Sequence, residues 1–298
     1  MIRELNTFIA VAREGTFAAA GKKVGLTQAA VSAQMQRLEA ELGFALFQRT
    51  GRSARLNEMG HQTLARAQEL VRLYNDLGAR RVGHSATMLV TIGAIASVQR
   101  SRLPEVLAQF HREHADCRTR VLPGLSMGLA DQVDAGEIDV AAIIRPPLPP
   151  QGDLRWTTLT REPFRLLVPR GIPGDDWAEL LSNQPFVRYD RASFGGRQVD
   201  RFLRRTHPNL REVCELDELE AIVRLVANGV GIALVPQTAG HRRWPAGVRA
   251  VDLGRHTFYR EIGILHRATG LSKPARRLVQ LLRRAYGVQV RPESAGNA

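Results

Sequence analysis

The chain has 298 residues, 44% of them hydrophobic, which is enough to build two or three packed domains and excludes a low-complexity or disordered polymer. Its 42 Lys and Arg against 29 Asp and Glu give a net charge of +13, a balance that favours a polyanionic partner. No apolar run of about 18 residues occurs, and the opening MIRELNTFIAVAREG mixes charges with hydrophobes where a signal peptide carries an apolar block, so a cytoplasmic protein with no membrane partner is expected. The basic residues are unevenly placed: Met1–Gly60 has eight against five acids, and Arg255–Arg291 has nine against Glu261 alone. Cys117 and Cys214 lie in strand-like runs without C-x-x-C spacing, and the eight histidines are scattered, so neither a metal nor a cofactor is expected.

In chain order, Ile2, Leu5, Phe8, Ile9 and Ala12 recur at helical spacing, and Glu14-Gly15 ends that helix. Thr16 caps a second, short helix through Phe17, Ala20 and Val24, which stops at Gly25. Thr27 caps a third, with Val31, Met35, Leu38 and Leu42 as its buried stripe. Only Gly25-Leu26-Thr27 separates the second and third helices, the turn that a helix-turn-helix requires. The third helix then presents Thr27, Gln28, Ala29, Ser32, Ala33, Gln36 and Arg37 on the face away from the stripe. Small and uncharged polar side chains near its N-terminal end suit entry into the major groove, and Gln28 and Ser32 are the expected contacts to base edges. Leu46-Phe47-Gln48 and Ala54-Arg55-Leu56 flank Arg49-Thr50-Gly51-Arg52 and read as a two-stranded wing whose Arg49, Arg52 and Arg55 are placed for phosphates.

Residues 16–60, TFAAAGKKVGLTQAAVSAQMQRLEAELGFALFQRTGRSARLNEMG, resemble the winged helix-turn-helix of the LysR-type transcriptional regulators. The likeness rests on an alanine-rich second helix, a Q-x-A-V-S opening, an L-E-x-E-L-G helix end and an L-F-x-R wing. It implies that Gln28, Ser32 and Arg37 contact the major groove of double-stranded DNA, and that Arg49, Thr50 and Arg52 contact its backbone. Many members carry a basic residue after the helix serine where this chain has Ala33.

From Asn57 to about Gly78 runs a linker helix with Leu64, Ala67, Val71 and Tyr74 in one seam and Leu70, Leu73 and Leu77 beside it. A seam that wide suits pairing with a second copy, and the family resemblance also implies a homodimer or homotetramer formed through a helix at this place. Arg80–Thr87 reads as a hinge. Strands and helices then alternate: LVTIGAI, a helix at Leu103–His114, CRTRVLP, a helix near Leu129–Ala135, and IDVAAII. The order repeats as FVRY, a helix at Arg197–Thr206, VCEL, a helix at Leu219–Asn228, and VGIALVP. Alternation implies a parallel sheet with helices on both faces, here in two α/β subdomains around a cleft. Trp156–Pro169 and Phe258–His266 look like the crossovers between them, and Lys273–Tyr286 closes with an amphipathic helix. The arrangement is similar to the periplasmic-binding-protein-like effector domain of the same family.

The expected organisation is therefore a DNA-binding domain over 1–60, a linker helix over 57–80 and an effector domain over 88–290. Within the last, one subdomain takes about 88–164 and 266–287 and the other about 165–265. Ligands of open α/β sheets sit beyond the carboxyl ends of strands, which points to Ser97, Ser126, Arg191, Phe194 and Gly195, with Asp217 and Glu218 nearby. The resemblance implies effector contacts at Ser97, Ser126 and the loop after Tyr189. Arg145, Arg188 and Arg191 near strand ends suggest a small anionic effector, a carboxylate.

GLSMG, residues 124–128, also matches G-x-S-x-G, the nucleophile elbow of many serine hydrolases. Asp190 or Asp217 and then His241 or His256 follow in the order a triad would need. No H-G-G-G run precedes Ser126, so the expectation is a ligand-contacting serine at a helix N-terminus and no enzyme.

Overall fold

A computed structural model describes residues 1–48, 54–79, 88–147, 152–206, 210–238 and 243–288. The chain forms two compact units, one running to Thr87 and one from Met88 onward, with Ala135–Glu137 grouped with the first.

In the first unit, α1 (Ile2–Glu14), α2 (Phe17–Val24) and α3 (Gln28–Leu42) begin and end where the capping residues dictate. The hydroxyl of Thr16 accepts from the amide of Ala19 at 3.2 Å and that of Thr27 from Ala30 at 3.2 Å, each satisfying a donor that an isolated helix start leaves open. Gly25, at φ 71°, turns the chain between α2 and α3. The Leu26 amide donates to the Gly21 carbonyl at 2.8 Å, and a Cβ on Gly21 would stand 2.6 Å from the Leu26 oxygen, so only glycine permits the turn to close this tightly on α2. Leu5, Phe8, Val11, Val31, Met35 and Leu38 form the core beneath, with Leu42 half-buried at its edge.

The wing strands meet at Phe47 and Leu56, and the Gln48 amide donates to the Arg55 carbonyl at 2.8 Å. Phe47 anchors them by edge-to-face contacts with Phe8 and Phe17, at 5.8 and 5.4 Å between ring centroids. The Glu39 carboxylate of α3 accepts from the amides of Leu46 and Phe47, tying the wing to the same helix that carries the polar face. Arg49, Thr50, Gly51 and Arg52 of the tip lie outside the described residues.

The linker helix, α4 (Glu58–Ala79), starts at Asn57, whose side chain accepts from the Gly60 amide at 2.7 Å. Its seam is divided. Leu64, Ala67 and Val71 pack into the core of their own unit, against the expectation that this stripe faces a second copy. Leu70, Leu73 and Tyr74 are exposed at 42%, 52% and 53%. α4 covers one side of the core of α1 to α3 with Leu64, Ala67 and Val71. Leu77 and the proposed hinge at 80–87 lie outside what the structure describes of side chains and backbone respectively.

The second unit opens with β1 (Met88–Ala94), α5 (Ala96–Gln99), α6 (Leu103–Glu113), β2 (Cys117–Pro123), α7 (Ser126–Asp134) and β3 (Val140–Ile144). It continues through β4 (Leu154–Pro169), α8 (Trp177–Asn183), β5 (Phe186–Tyr189), α9 (Phe194–Thr206), β6 (Glu212–Leu216), α10 (Leu219–Ala227), β7 (Ala233–Pro236), β8 (Val248–Val251), β9 (Tyr259–Arg267) and α11 (Lys273–Ala285). β1 pairs parallel with both β2 and β3, and β5 pairs parallel with β6. The sheet is nevertheless mixed, in the order β2-β1-β3-β9-β4-β7, because β9 runs antiparallel to β3 and to β4. This corrects the parallel sheet inferred from alternation: β4 and β9 carry the chain between subdomains without a covering helix, and a parallel neighbour would need one.

β4 makes the passage in one strand. Its residues Leu154–Pro163 pair with β9, while Phe164–Leu167 pair with β7 and Leu166–Pro169 with β8. Two separate apolar cores result. One is centred on β1, β3, α6 and α11 and the other on the second half of β4, β5, β7 and α10. α8 and β8 were not anticipated. α7 and α9 also start three residues earlier than their apolar periodicity indicates, at Ser126 and Phe194, because Gly128 and the Gly195-Gly196 pair read as turns yet sit in first helical turns.

Candidate functional site

A cavity of about 240 Å³ lies between the two subdomains, where the carboxyl ends of β1, β2 and β5 meet the loop before α10. It is lined by Ser97, Gly124-Leu125-Ser126, Ile144, Tyr189, Ser193, Asp217-Glu218 and Arg260, among others. That volume is below the roughly 300–1,000 Å³ of drug-sized ligand sites, so it fits a small molecule.

Arg260 is the organising charge. It is 1% exposed, and its Nε donates to the buried Glu162 carboxylate at 2.7 Å while Nη2 donates to Ser97 Oγ at 3.0 Å. Glu162 and Arg260 face each other as register partners on β4 and β9. Burial by itself would pull the arginine down, but Glu162 and the Tyr189 hydroxyl outweigh it and hold its pKa above the ordinary value. Burial likewise pushes the Tyr189 hydroxyl up, next to Arg260 and Ser193. Asp217 is raised first by burial and then by the charge of Asp190.

Ser126 is 4% exposed at the first turn of α7, and its Oγ accepts from the Ile144 amide at 3.1 Å. Ser97 Oγ accepts from Arg260. Each serine oxygen thus accepts a hydrogen bond from a protein N–H and keeps its own hydroxyl proton for a further acceptor. No histidine lines the cavity among the described residues; His256 lies instead in the short turn Gly254–His256, its ring tilted against Trp177 at 5.3 Å between centroids, and His241 lies outside the described residues. Among the described residues no histidine stands at Ser126 to serve as its general base.

The other expected effector residues stand elsewhere. Arg191 donates to both oxygens of Glu212, at 2.7 and 2.8 Å, and pairs with Glu215 and Asp200 on the outer side of β6 and α9. Arg188 is buried against Glu212 and Asp200, and Arg145 pairs with Glu261 at 3.0 Å. None of the three lines the cavity, which removes the arginines from which an anionic ligand was inferred. Phe194 is buried in the core of the first subdomain instead. Gly195 acts beneath the site: a Cβ there would meet Tyr189 Cε1 at 2.5 Å, so its lack of a side chain lets Tyr189 reach the cavity. Arg260, Tyr189 and Ser193 were missed. A charged pair in two mostly apolar strands, TREPF and FYREIG, was the available signal, but only the β4–β9 register brings Glu162 and Arg260 together.

In the first unit Thr27, Gln28, Ala29, Ala33, Gln36 and Arg37 are exposed on one face of α3 and Ser32 is half-buried between them. The Arg37 guanidinium lies 3.9 Å from the Glu4 carboxylate and remains largely exposed. The face is uncharged at its N-terminal end and basic beyond it, as a groove-entering helix requires. Among the described residues no group of His, Cys, Asp and Glu forms a metal site, and no helix is long and apolar enough to cross a membrane.

Residues 2–61 match the family model for the bacterial regulatory helix-turn-helix protein of the lysR family, and residues 84–287 match the LysR substrate binding domain. The chain is 30% identical over 237 residues to an uncharacterized HTH-type transcriptional regulator, YusT, of Bacillus subtilis, covering 79% of this chain and 78% of that one. It is 29% identical to the HTH-type transcriptional regulator IlvR of Caulobacter vibrioides, over 85% and 87% of the two chains. Among solved structures it resembles a full-length OxyR from Pseudomonas aeruginosa, with a TM-score of 0.58, 23% identity and coverage of 96% and 94%. The fold, the helix-turn-helix with its wing and the two-subdomain cleft agree with these matches, and the chain belongs to the LysR-type transcriptional regulators: it is a DNA-binding regulator with an effector-binding domain, and not an enzyme.

Proposed function

We propose that this regulator reads double-stranded DNA as a homodimer or a pair of dimers through Gln28 and Ser32, with Ala29 and Gln36 alongside them, and that Arg37, Arg49, Thr50 and Arg52 hold phosphates. Thr27 caps the reading helix and completes its leading edge. The unit up to about residue 60 carries this role, the helix over 57–80 joins two copies, and residues 88–290 bind the effector. What supports the DNA reading is the exposed face of α3, small and polar before it turns basic.

The effector is a small molecule that enters the cavity through an anionic group, a carboxylate. The observation that carries this is the pair of serines: Ser97 and Ser126 each accept a hydrogen bond from a protein N–H and so have a hydroxyl proton to donate. The first amides of α7 add donors beside Ser126, and the helix dipole favours negative charge there. Arg260 supplies the nearest positive charge in place of Arg191, Arg188 and Arg145. Calorimetric titration of the full chain with small carboxylates and with their methyl esters tests this. Binding of the acids and not of the esters is expected, and equal binding of both would overturn it.

A further inference from the structure

The cavity that holds the serines and Arg260 has a second, oppositely charged side. Asp217 and Glu218 line it at the loop before α10, and Asp190 stands close enough to Asp217 to raise its pKa. These carboxylates differ in what already neutralises them. Glu218 pairs with Arg100 at 2.5 Å, and Glu220 pairs with the same guanidinium at 2.9 Å. Asp190 Oδ1 accepts from the Ala192 amide at 2.8 Å. Asp217 has no Lys, Arg or His within salt-bridge distance among the described residues; its charge is eased by a hydrogen bond from Ser193 and by the field of Arg260. Arg260 is itself matched by Glu162 at 2.7 Å. A ligand carrying only negative charge would therefore enter a cavity in which Arg260, the positive group of the lining among the described residues, is already matched by Glu162 while Asp217 and Glu218 are acidic.

We propose that the effector is a small amino-carboxylate, a zwitterion of the α-amino-acid type, whose carboxylate meets the Ser97, Ser126 and Arg260 side and whose ammonium meets Asp217. This rests on the carboxylate reading above and adds the cation to it. The cavity of about 240 Å³ has room for one small molecule, and Ile95, Leu125, Ile144 and Leu219 give its lining an apolar part for a modest side chain. An ammonium restores to Asp217 the stabilisation that burial removes, and its N–H donors form charge-assisted hydrogen bonds there. A zwitterion adds no net charge to the cavity, and its ammonium meets a carboxylate that has no salt-bridge partner among the described residues.

The test is isothermal titration of the full chain against a matched panel: aliphatic α-amino acids, the same acids lacking the amino group, and the same amines lacking the carboxylate. At least one amino acid should bind about tenfold or more tighter than both of its halves. Equal binding of the plain carboxylate would remove the cation and leave the carboxylate reading standing. Equal binding of the amine alone would remove both. Silence across the panel would overturn the zwitterion. Asp217→Asn, confirmed as folded by circular dichroism, should shrink the gap between amino acid and plain carboxylate to within about threefold. If the gap persists in that variant, Asp217 is not the partner of the ammonium and the assignment falls.

Discussion

Ser126 shows how one residue's chemistry depends on its neighbours. The sequence around it fits a nucleophile elbow, and in the fold its oxygen accepts a hydrogen bond from the Ile144 amide and no histidine among the described residues lines its cavity. Ser126→Ala should weaken effector binding by ~1–3 kcal/mol, because it deletes a donor and leaves the Ile144 amide without its acceptor; titration calorimetry measures it. The protein should also resist labelling by a fluorophosphonate, and stoichiometric labelling lost in that variant would contradict the site described here. Arg260 and Glu162 make a different kind of pair. Both are buried, so Glu162→Gln leaves a guanidinium in the interior without a counter-charge and should destabilise the effector domain by roughly 3–5 kcal/mol, read as a lowered urea midpoint. The double variant Glu162→Leu with Arg260→Met should lose much less stability, since it removes both charges together.

At the scale of elements, the proposed reading divides the work on DNA between α3 and the wing. Gln28 stands exposed in the first turn of α3, where bidentate pairing with adenine is geometrically natural. Gln28→Ala is expected to relax base preference at one position per half-site by ~1–3 kcal/mol, whereas Arg52→Ala should weaken all sequences alike and reduce the slope of log affinity against log salt by about one unit. Binding assays on operator variants at several salt concentrations separate the two, and the reverse pattern would exchange their roles. α4 serves two purposes at once. Leu64, Ala67 and Val71 close the core of their own unit, and Leu70, Leu73 and Tyr74 remain as an apolar stripe outside it. The stripe is the surface on which the dimer reading now depends, so Leu70→Glu with Leu73→Glu should yield a monomer in sedimentation experiments under conditions where the unaltered chain is dimeric.

For the whole molecule, regulation requires that the effector discriminate between two arrangements. The effector cavity is bounded by both subdomains, and β4 and β9 are the strands that pass between them. If the effector bridges Ser126 and Asp217 as proposed, it would bind more tightly to a closed cleft, and this differential affinity would shift the equilibrium. Saturating effector should therefore reduce the radius of gyration of the isolated second unit in X-ray scattering and alter the operator footprint of the full chain. An unchanged footprint at saturation would show that ligand binding is not transmitted to DNA.

The sequence by itself determined the local elements and the family. Thr16, Thr27, Asn57 and Gly25 set where helices begin and turn, because capping satisfies backbone groups within four residues and needs no distant partner. Ser97 and Ser126 were legible as well, since strand-to-helix loops at the carboxyl ends of a sheet are local features. Charge near strand ends was a poor guide by comparison: Arg191, Arg188 and Arg145 lie close in sequence to such ends, yet each is engaged by carboxylates from other strands or helices. The tertiary structure alone decided that Arg260 and Glu162 are partners, that Tyr189 reaches the cavity over Gly195, and that Asp217 lines it with no salt-bridge partner among the described residues. The reason is register: which charge a buried group meets depends on how residues nearly a hundred positions apart align across an antiparallel pair, and no local propensity encodes that alignment.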